Sequence, residues 1–188
     1  AKLYAAGFND VLTKPIVIQR LLQLVQSHLP ARRAESKTGI GKYVIVADDD
    51  PIQLKLLRFC LTRLGFEVAT AANGQQAFEL AEARRPDAIV TDALMPQLDG
   101  FELSMLIRKS PALANTPLIL VTSSYVERAD SELARNAGAD AFVVRTPGMQ
   151  EVVSALQDAL ALPRSARTRP KPLDDADLGT QHARRLVT

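Results

Sequence analysis

The chain has 188 residues, of which 47% are hydrophobic and 23% are charged, as in an ordinary soluble globular protein. Its single cysteine, Cys60, excludes an internal disulfide and fits a reducing cytoplasm. No apolar run reaches membrane-spanning length and no signal-peptide pattern opens the chain, so neither a membrane protein nor a secreted protein is expected.

The net charge of +2 hides an asymmetry along the chain. Residues 43–162 carry ten Lys and Arg against sixteen Asp and Glu, a balance of −6, so the positive excess lies in the two flanks. The basic residues of the flanks lie among Pro, Ser and Ala, without aromatic residues or a binding motif beside them. This pattern favours solvated linkers over a nucleic-acid-binding tail.

From residue 43 onward, short apolar runs alternate with segments of helical periodicity. The predicted strands are Tyr43–Ala47, Glu67–Ala71, Asp87–Thr91, Pro117–Thr122 and Asp140–Val144. The predicted helices are 51–64, Gly74–Arg85, Phe101–Lys109, 126–137 and Met149–Leu162. Five alternating units of this size predict an α/β fold, a doubly wound five-stranded parallel sheet with helices on both faces.

The flanks repeat part of this pattern. Residues 6–29 can be laid over residues 137–160 at a constant offset of 131. The identical pairs are Ala6 and Ala137, Gly7 and Gly138, Gln19 and Gln150, Gln26 and Gln157, and Leu29 and Leu160. Such self-similarity is typical of a tandem repeat, so residues 1–30 are predicted to be the C-terminal βα fragment of a preceding copy. We therefore expect a piece of a longer protein, with linkers at 31–42 and 163–188 and the start of a further helix within the second linker.

Acidic residues follow two of the predicted strands. Asp48, Asp49 and Asp50 close the first apolar run, and Asp92 closes the third. Carboxylates at the ends of buried strands are costly unless they are compensated, and a hard divalent cation held by oxygen ligands is the usual compensation. The C-terminal edge of a parallel sheet is also where open α/β proteins keep their sites. The sequence therefore predicts a cation site at this edge.

Four motifs occur in order, each at one end of a predicted strand. They are Asp48-Asp49-Asp50-Pro51, Asp92-x-x-Met95-Pro96-x-x-Asp99-Gly100, Thr122-Ser123 and Ala137-Gly138-Ala139-Asp140. Together they make residues 43–162 resemble the receiver domain of two-component response regulators, the second of a tandem pair. The resemblance implies a flavodoxin-like receiver fold.

The resemblance also implies a phosphoryl-transfer site. Asp92 would be the acceptor, a carboxylate nucleophile that attacks phosphorus and forms an acyl phosphate. Mg²⁺ would be held by Asp48, Asp49 and Asp92, directly or through water, and by the backbone carbonyl of Leu94. The cation would neutralise the phosphoryl oxygens during transfer. Weak Mg²⁺ binding is therefore expected, and Asp49→Ala is expected to abolish it.

Three further residues complete the implied machinery. Thr122 would donate its hydroxyl to a phosphoryl oxygen, and Phe142 lies at the position of an aromatic rotamer switch, with plain core packing as the alternative. Arg145-Thr146 stands where the family has Lys-Pro, a pair that the upstream fragment does contain as Lys14-Pro15. Because a guanidinium is longer and planar, Arg145 is expected to lie partly outside the pocket and to pair with the carboxylates at longer range. With Thr146 in place of proline, the loop is expected to lack a tight turn.

Some of these residues also have purely structural interpretations. Asp50 is predicted to cap the helix that begins near Pro51 rather than to bind metal. Asp99-Gly100 is predicted to form a turn rather than a ligand. Cys60 is predicted to be a small core residue rather than a reactive thiol.

The first functional hypothesis is a phosphoacceptor receiver module of a hybrid histidine kinase or multi-receiver regulator in the cytoplasm. The expected partners are a histidine kinase or phosphotransfer domain, neighbouring domains of the same chain and a second copy of the module, with no nucleic acid and no membrane. An alternative is a pseudo-receiver that is not phosphorylated and acts as a docking or allosteric module. A hydrolase of the haloacid dehalogenase type is disfavoured, because its nucleophile follows the first strand. We therefore expect a stoichiometric acceptor, not an enzyme.

Overall fold

The computed structural model describes residues 39–123, 128–146 and 148–162. Strands β1 to β5 are Tyr43–Ala47, Glu67–Ala71, Ala88–Asp92, Leu118–Thr122 and Ala141–Val144. Helices α1 to α5 are Pro51–Arg63, Gly74–Ala83, Gly100–Lys109, Arg128–Asn136 and Gln150–Ala161. Strands and helices alternate throughout, as the sequence predicts.

The five strands form one parallel sheet in the order β2-β1-β3-β4-β5. In register, Ile45 of β1 lies between Ala69 of β2 and Ile89 of β3. The chain moves from β1 to one side of the sheet and then returns to the other side for β3. This change of direction creates a crevice between the carboxyl ends of β1 and β3, where open α/β sheets bind their ligands.

Helices cover both faces of the sheet, and strands β1 and β4 are therefore buried along their whole length. One apolar cluster joins the sheet to α2, α3 and α4 and contains Phe101, Leu103 and Ile107. The other joins it to α1 and α5 through Leu57 and Leu156. The doubly wound α/β fold predicted from the sequence is confirmed.

Three of the predicted strands begin one residue later in the structure, at Ala88, Leu118 and Ala141, and the first and last of these shifts have a common physical reason. Asp87 and Asp140 each lie before a strand and accept a backbone N–H from the neighbouring strand's first residue. Asp87 Oδ2 accepts from Tyr43 N at 2.9 Å, and Asp140 Oδ2 accepts from Leu118 N at 2.8 Å. Their side chains thus take the place of a ladder bond at the amino edge of the sheet.

Side chains cap two of the helices that border the carboxyl edge. Asp50 accepts from Ile52 N at 2.8 Å with Pro51 at the first helical position, so its predicted capping of α1 is confirmed. The prediction of a turn at Asp99-Gly100 needs correction. Asp99 is the N-cap of α3 and forms a reciprocal capping box with Glu102.

The predicted boundary of the domain also shifts. The linker was predicted to end at residue 42, but Gly39 N donates to Leu64 O at 3.0 Å, and Gly39 lies close against the ring of Phe66. The domain therefore extends upstream to at least residue 39. The predictions for residues 1–30, 31–38 and 163–188 lie outside the described residues. Within the described part of the chain, no helix combines the length and apolar character that crossing a membrane requires.

Candidate functional site

The carboxyl edge of the sheet brings the predicted site residues together. A cavity of about 260 Å³ lies there. Its lining residues are Asp48, Asp49, Asp50, Gln53, Asp92, Leu94, Thr122, Ser123 and Arg145. Each of β1, β3, β4 and β5 ends at this cavity or leads directly into it. Every residue predicted to take part in phosphoryl transfer or cation binding therefore lies in one pocket.

Asp92 is the last residue of β3, one position further into the strand than predicted. Its Oδ2 accepts the backbone N–H of Leu94 at 3.0 Å, which fixes the orientation of the carboxylate. Its Oδ1 accepts Nη2 of Arg145 at 2.8 Å. Only 13% of the side chain is exposed, so the carboxylate is largely shielded from water yet still borders the cavity.

Asp48 directly follows β1 and is buried. Its Oδ1 accepts the backbone N–H of Asp50 at 2.9 Å, and its Oδ2 accepts Nη2 of Arg145 at 2.5 Å. Asp49, by contrast, is exposed at the cavity mouth. The three consecutive aspartates therefore have different environments: Asp48 is buried, Asp49 is exposed and Asp50 caps α1.

The position expected for Arg145 was wrong. Its side chain is only 14% exposed, and its guanidinium bridges Asp48 and Asp92 directly. The loop after β5 is also better defined than expected. Met149 N donates to Thr146 O at 3.0 Å with Met149 at φ 55°, and the Thr146 hydroxyl donates to the Glu151 carboxylate. This turn anchors the residue after Arg145 without a proline at position 146.

Electrostatics reflect the crowding of carboxylates. Burial raises the pKa of Asp92 from 3.8 to about 6, opposed by the Leu94 N–H and assisted by the negative charge of Asp48. Burial also raises the pKa of Asp48, and the Asp50 N–H and Arg145 only partly offset that rise. Both carboxylates therefore remain short of compensating positive charge even with Arg145 in place.

This deficit bears on whether the residues suit Mg²⁺. The lining offers carboxylate and carbonyl oxygens, the ligands that a hard cation prefers, and its buried carboxylates lack sufficient counter-charge. Within the residues that the structure describes, no three acidic, His or Cys side chains are already grouped as a metal site. The donor set suits Mg²⁺ in its chemistry, while Arg145 now bridges two of its carboxylates.

Thr122 and Phe142 differ in how they relate to the pocket. Thr122 ends β4, is largely buried and lines the cavity, and its carbonyl accepts Arg145 N at 2.7 Å. Phe142 is half-buried on β5 and does not line the cavity. Its ring lies against Phe101, with centroids 6.1 Å apart. The structure thus places Thr122 at the site and Phe142 one layer away.

Gly100 is a site residue that sequence reasoning missed as such. A Cβ at this position would lie 2.3 Å from the carbonyl oxygen of Asp92, and Gly100 N donates to Ala93 O at 3.1 Å. The absence of a side chain lets α3 begin directly against the end of β3. The Asp-Gly pair was the available signal, but it was interpreted only as a turn.

Comparison with known proteins agrees with this architecture. Residues 44–157 match the response regulator receiver domain model. The chain is 33% identical over 113 residues to the alkaline phosphatase synthesis transcriptional regulatory protein PhoP of Bacillus subtilis, which covers 60% of this chain and 46% of PhoP. It is 27% identical over 119 residues to the polar-differentiation response regulator DivK of Brucella anthropi, covering 63% of this chain and 96% of DivK. This chain therefore aligns with about half of one relative and nearly all of the other.

A solved structure extends the comparison to the site. The receiver domain of sensor histidine kinase PA1611 from Pseudomonas aeruginosa PAO1 superposes with a TM-score of 0.59 at 28% identity. The match covers 65% of this chain and 99% of that chain, which holds a magnesium ion coordinated in its active site cleft. The family match, the strand order and the edge at which the acidic residues meet lead to one assignment. Through residues 44–157, the chain belongs to the response regulator receiver domains of two-component systems.

Proposed function

We propose that this domain accepts a phosphoryl group on Asp92 in a Mg²⁺-dependent reaction and passes a signal to neighbouring domains of a longer protein. The observation that supports this most is the position of Asp92. It ends the central strand beside the sheet's crevice, largely shielded from water, with Asp48, Thr122 and Arg145 around one cavity. These groups are the ones that an acyl-phosphate site requires.

Both oxygens of Asp92 are engaged before transfer. The Leu94 N–H holds Oδ2 and Arg145 holds Oδ1, so we infer that Arg145 releases the carboxylate before one of its oxygens attacks phosphorus. A bond forms between that carboxylate oxygen and phosphorus while the bond from phosphorus to the donor's leaving atom breaks, and the leaving atom keeps the electron pair. With a pKa of about 6, Asp92 is mostly ionised at neutral pH and can act as the nucleophile.

The surrounding residues stabilise the charge of the transferred group. Thr122 borders the cavity, where its hydroxyl can donate to a phosphoryl oxygen, and the Arg145 guanidinium can donate two hydrogen bonds to another. Mg²⁺, held by Asp48, Asp49, Asp92 and the Leu94 carbonyl, would neutralise phosphoryl oxygens when bound. The domain acts stoichiometrically, as an acceptor rather than an enzyme.

An apolar stripe supports a protein as the phosphodonor. Ile52, Leu56 and Phe59 are 64%, 46% and 60% exposed, and their spacing of four and three places them on one face of α1. This helix starts immediately after the acidic cluster, and the half-exposed Leu94 lines the cavity nearby. A protein that delivers a phosphoryl group to Asp92 must cover this rim. A histidine kinase or phosphotransfer domain that lays an apolar helix on the stripe is the donor we infer.

One observation favours a second candidate, the pseudo-receiver. Arg145 closes the pocket from within by bridging Asp48 and Asp92. If this bridge never opens, the domain serves as a docking or allosteric module without phosphorylation. The setting proposed for either function is a multi-domain cytoplasmic protein, a hybrid kinase or multi-receiver regulator, in which the domain also pairs with a second copy of itself.

Labelling distinguishes the two candidates. The protein is incubated with acetyl phosphate, with Mg²⁺ or with a chelator, then trapped with borohydride and mapped by mass spectrometry. Phosphorylation is expected on Asp92 only with Mg²⁺, absent in Asp92→Asn and retained in the distant control Asp158→Asn. A folded wild-type protein that takes no label from acetyl phosphate or from its cognate kinase would favour the pseudo-receiver.

A further inference from the structure

The two largely buried carboxylates of the pocket, Asp48 and Asp92, each accept hydrogen bonds from two kinds of donor. One oxygen of each binds a backbone N–H, that of Asp50 for Asp48 and that of Leu94 for Asp92. The other oxygen of each binds the same nitrogen, Nη2 of Arg145, at 2.5 Å and 2.8 Å. Nη2 carries two hydrogens, so a single nitrogen serves both carboxylates.

A divalent cation ligated by the same carboxylates needs the oxygens that Nη2 now holds. The other oxygens accept the backbone N–H groups that fix the turns after β1 and β3, and losing those bonds would release both turns. We propose that Arg145 is a tethered cation which excludes the divalent cation from the pocket, so that cation binding and release of the Arg145 guanidinium are one event. The inference relies on the proposed function only in taking Mg²⁺ as the cation.

The backbone around Arg145 allows the side chain to move alone. Arg145 N donates to Thr122 O at 2.7 Å, and the next residue, Thr146, accepts the Met149 N–H through its carbonyl at 3.0 Å. Four aspartates and one arginine line the cavity, a formal balance of −3, so the pocket still attracts a divalent cation while Arg145 is bound. Release therefore exchanges one counter-ion for another and leaves the guanidinium at the cavity, free to meet a phosphoryl group.

Arginine side-chain spectroscopy tests this exchange directly. Mg²⁺ is titrated into ¹⁵N-arginine-labelled wild type, Arg145→Gln and the control Arg84→Gln, with backbone amide shifts giving affinity. Arg84 pairs with Glu67 on the exposed surface, away from the cavity, so its variant loses an arginine ion pair without touching the site. The Nε signal missing from Arg145→Gln identifies Arg145.

The expected result has two parts. In wild type, Mg²⁺ shifts the Arg145 Nε signal and speeds rotation of its guanidinium, with the same midpoint as the Leu94 and Asp49 amides. Arg145→Gln binds Mg²⁺ at least about tenfold more tightly, as loss of one charge-assisted competitor predicts, and Arg84→Gln is unchanged. Binding to Arg145→Gln with none to wild type would also support exclusion, as its extreme case.

Other outcomes overturn the proposal. If Mg²⁺ shifts the Leu94 amide of wild type while the Arg145 Nε signal stays unchanged, the two cations coexist and any gain in Arg145→Gln is general charge repulsion. Absence of Mg²⁺ binding in all three proteins would overturn it as well. Because Asp92 labelling is measured separately, labelling of wild type without movement of Arg145 sinks this inference and leaves the proposed function standing.

Discussion

Gly100 and Asp92 are packed so closely that the first residue of α3 has no room for a side chain. An added Cβ would lie 2.3 Å from the Asp92 carbonyl oxygen and 2.7 Å from Cδ2 of Leu120. Backbone cannot give way as a flexible side chain can, so α3 or the end of β3 must shift. The start of this helix thus sets the backbone position of the proposed phosphoacceptor.

Gly100→Ala is expected to destabilise the domain by about 1–3 kcal/mol, because overpacking outweighs the better helix propensity of alanine. Urea unfolding measures the loss, and acetyl phosphate labelling of Asp92 should slow as its backbone moves. Gly148→Ala is the matched control, since the nearest atoms that a Cβ there would meet belong to the end of the flexible Gln150 side chain. Equal stability of Gly100→Ala and wild type would show that the contact relaxes freely.

The capping box of α3 gives a second prediction. Asp99 is buried and its Oδ1 accepts Glu102 N at 2.8 Å, so Asp99→Ala should cost about 1–2 kcal/mol in urea unfolding. Asp99→Asn keeps a capping oxygen and should recover most of that loss. Mg²⁺ affinity should be the same in both variants. A large loss of Mg²⁺ binding in Asp99→Asn would instead make Asp99 part of the cation site.

The sequence predicts those features of the fold that local residue patterns determine, and it misses those that depend on contacts between distant residues. The strands and helices were predictable because apolar runs and leucine spacing report burial directly. The errors at Asp87 and Asp140 arose because an aspartate that bonds a neighbouring strand looks, in one dimension, like the start of its own strand. The boundary at Gly39 was missed because its partner, Phe66, lies far along the chain.

The site shows the same limit. Strand ends predicted which residues meet at the cavity, because parallel strands bring their carboxyl ends to one edge. The direction of the Arg145 side chain was predicted wrongly, because length and planarity alone suggested that it would not fit. Its path depends on two carboxylates 97 and 53 residues away in sequence and on the turn that holds Thr146. Such pairings are set by tertiary structure and leave no local pattern.

Arg108 provides a third prediction, about the amino edge of the sheet. Its largely buried guanidinium donates to the carbonyls of Ala114, Thr116 and Gly138 and to the Asp140 carboxylate, at 2.8–3.1 Å. Arg108→Met would remove one hydrogen-bond donor from each of these acceptors and should cost about 3 kcal/mol. Thermal or urea unfolding measures the loss.

Arg84→Met is the comparison for Arg108→Met, because Arg84 forms a solvent-exposed ion pair with Glu67 and stacks over the ring of Tyr43. Its loss of stability should be much smaller, since exposed pairs are screened by solvent. Similar losses in the two variants would mean that burial does not decide the strength of the Arg108 network.

The raised pKa of Asp92 gives a fourth prediction, on the pH dependence of metal-free stability. Folded Asp92, with a pKa of about 6, binds its proton more tightly than the unfolded chain does, with its ordinary pKa of 3.8. Wild type therefore loses stability as pH rises from about 4 to about 6, by at most about 3 kcal/mol from this group. Asp92→Asn has no such proton to lose, so its stability relative to wild type should rise across that window and level off above it.

Urea unfolding in chelator between pH 4.5 and 8 measures this difference, and Asp158→Asn on the exposed face of α5 serves as the control. The relevant quantity is the free energy of unfolding of each variant minus that of wild type at the same pH. A difference for Asp92→Asn that does not change with pH would show that the folded-state pKa of Asp92 is not raised.

The last prediction concerns the apolar stripe of α1, which separates delivery of the phosphoryl group from the chemistry at Asp92. Ile52, Leu56 and Phe59 point outward, whereas Leu57 and Leu61 of the same helix are buried against the sheet. Leu56→Glu and Phe59→Glu therefore place a good helix former at each position and leave the core intact.

Acetyl phosphate reaches Asp92 without contacting the stripe, so its labelling rate should be unchanged in both variants. Transfer from a phosphorylated cognate histidine kinase should slow by about tenfold or more, the loss typical of an interface anchor. Ile40→Glu is the control, because Ile40 is also exposed, at 70%, but precedes β1 at the opposite edge of the sheet. If Leu56→Glu and Phe59→Glu accept the phosphoryl group from the kinase as fast as Ile40→Glu does, the donor approaches Asp92 from another side.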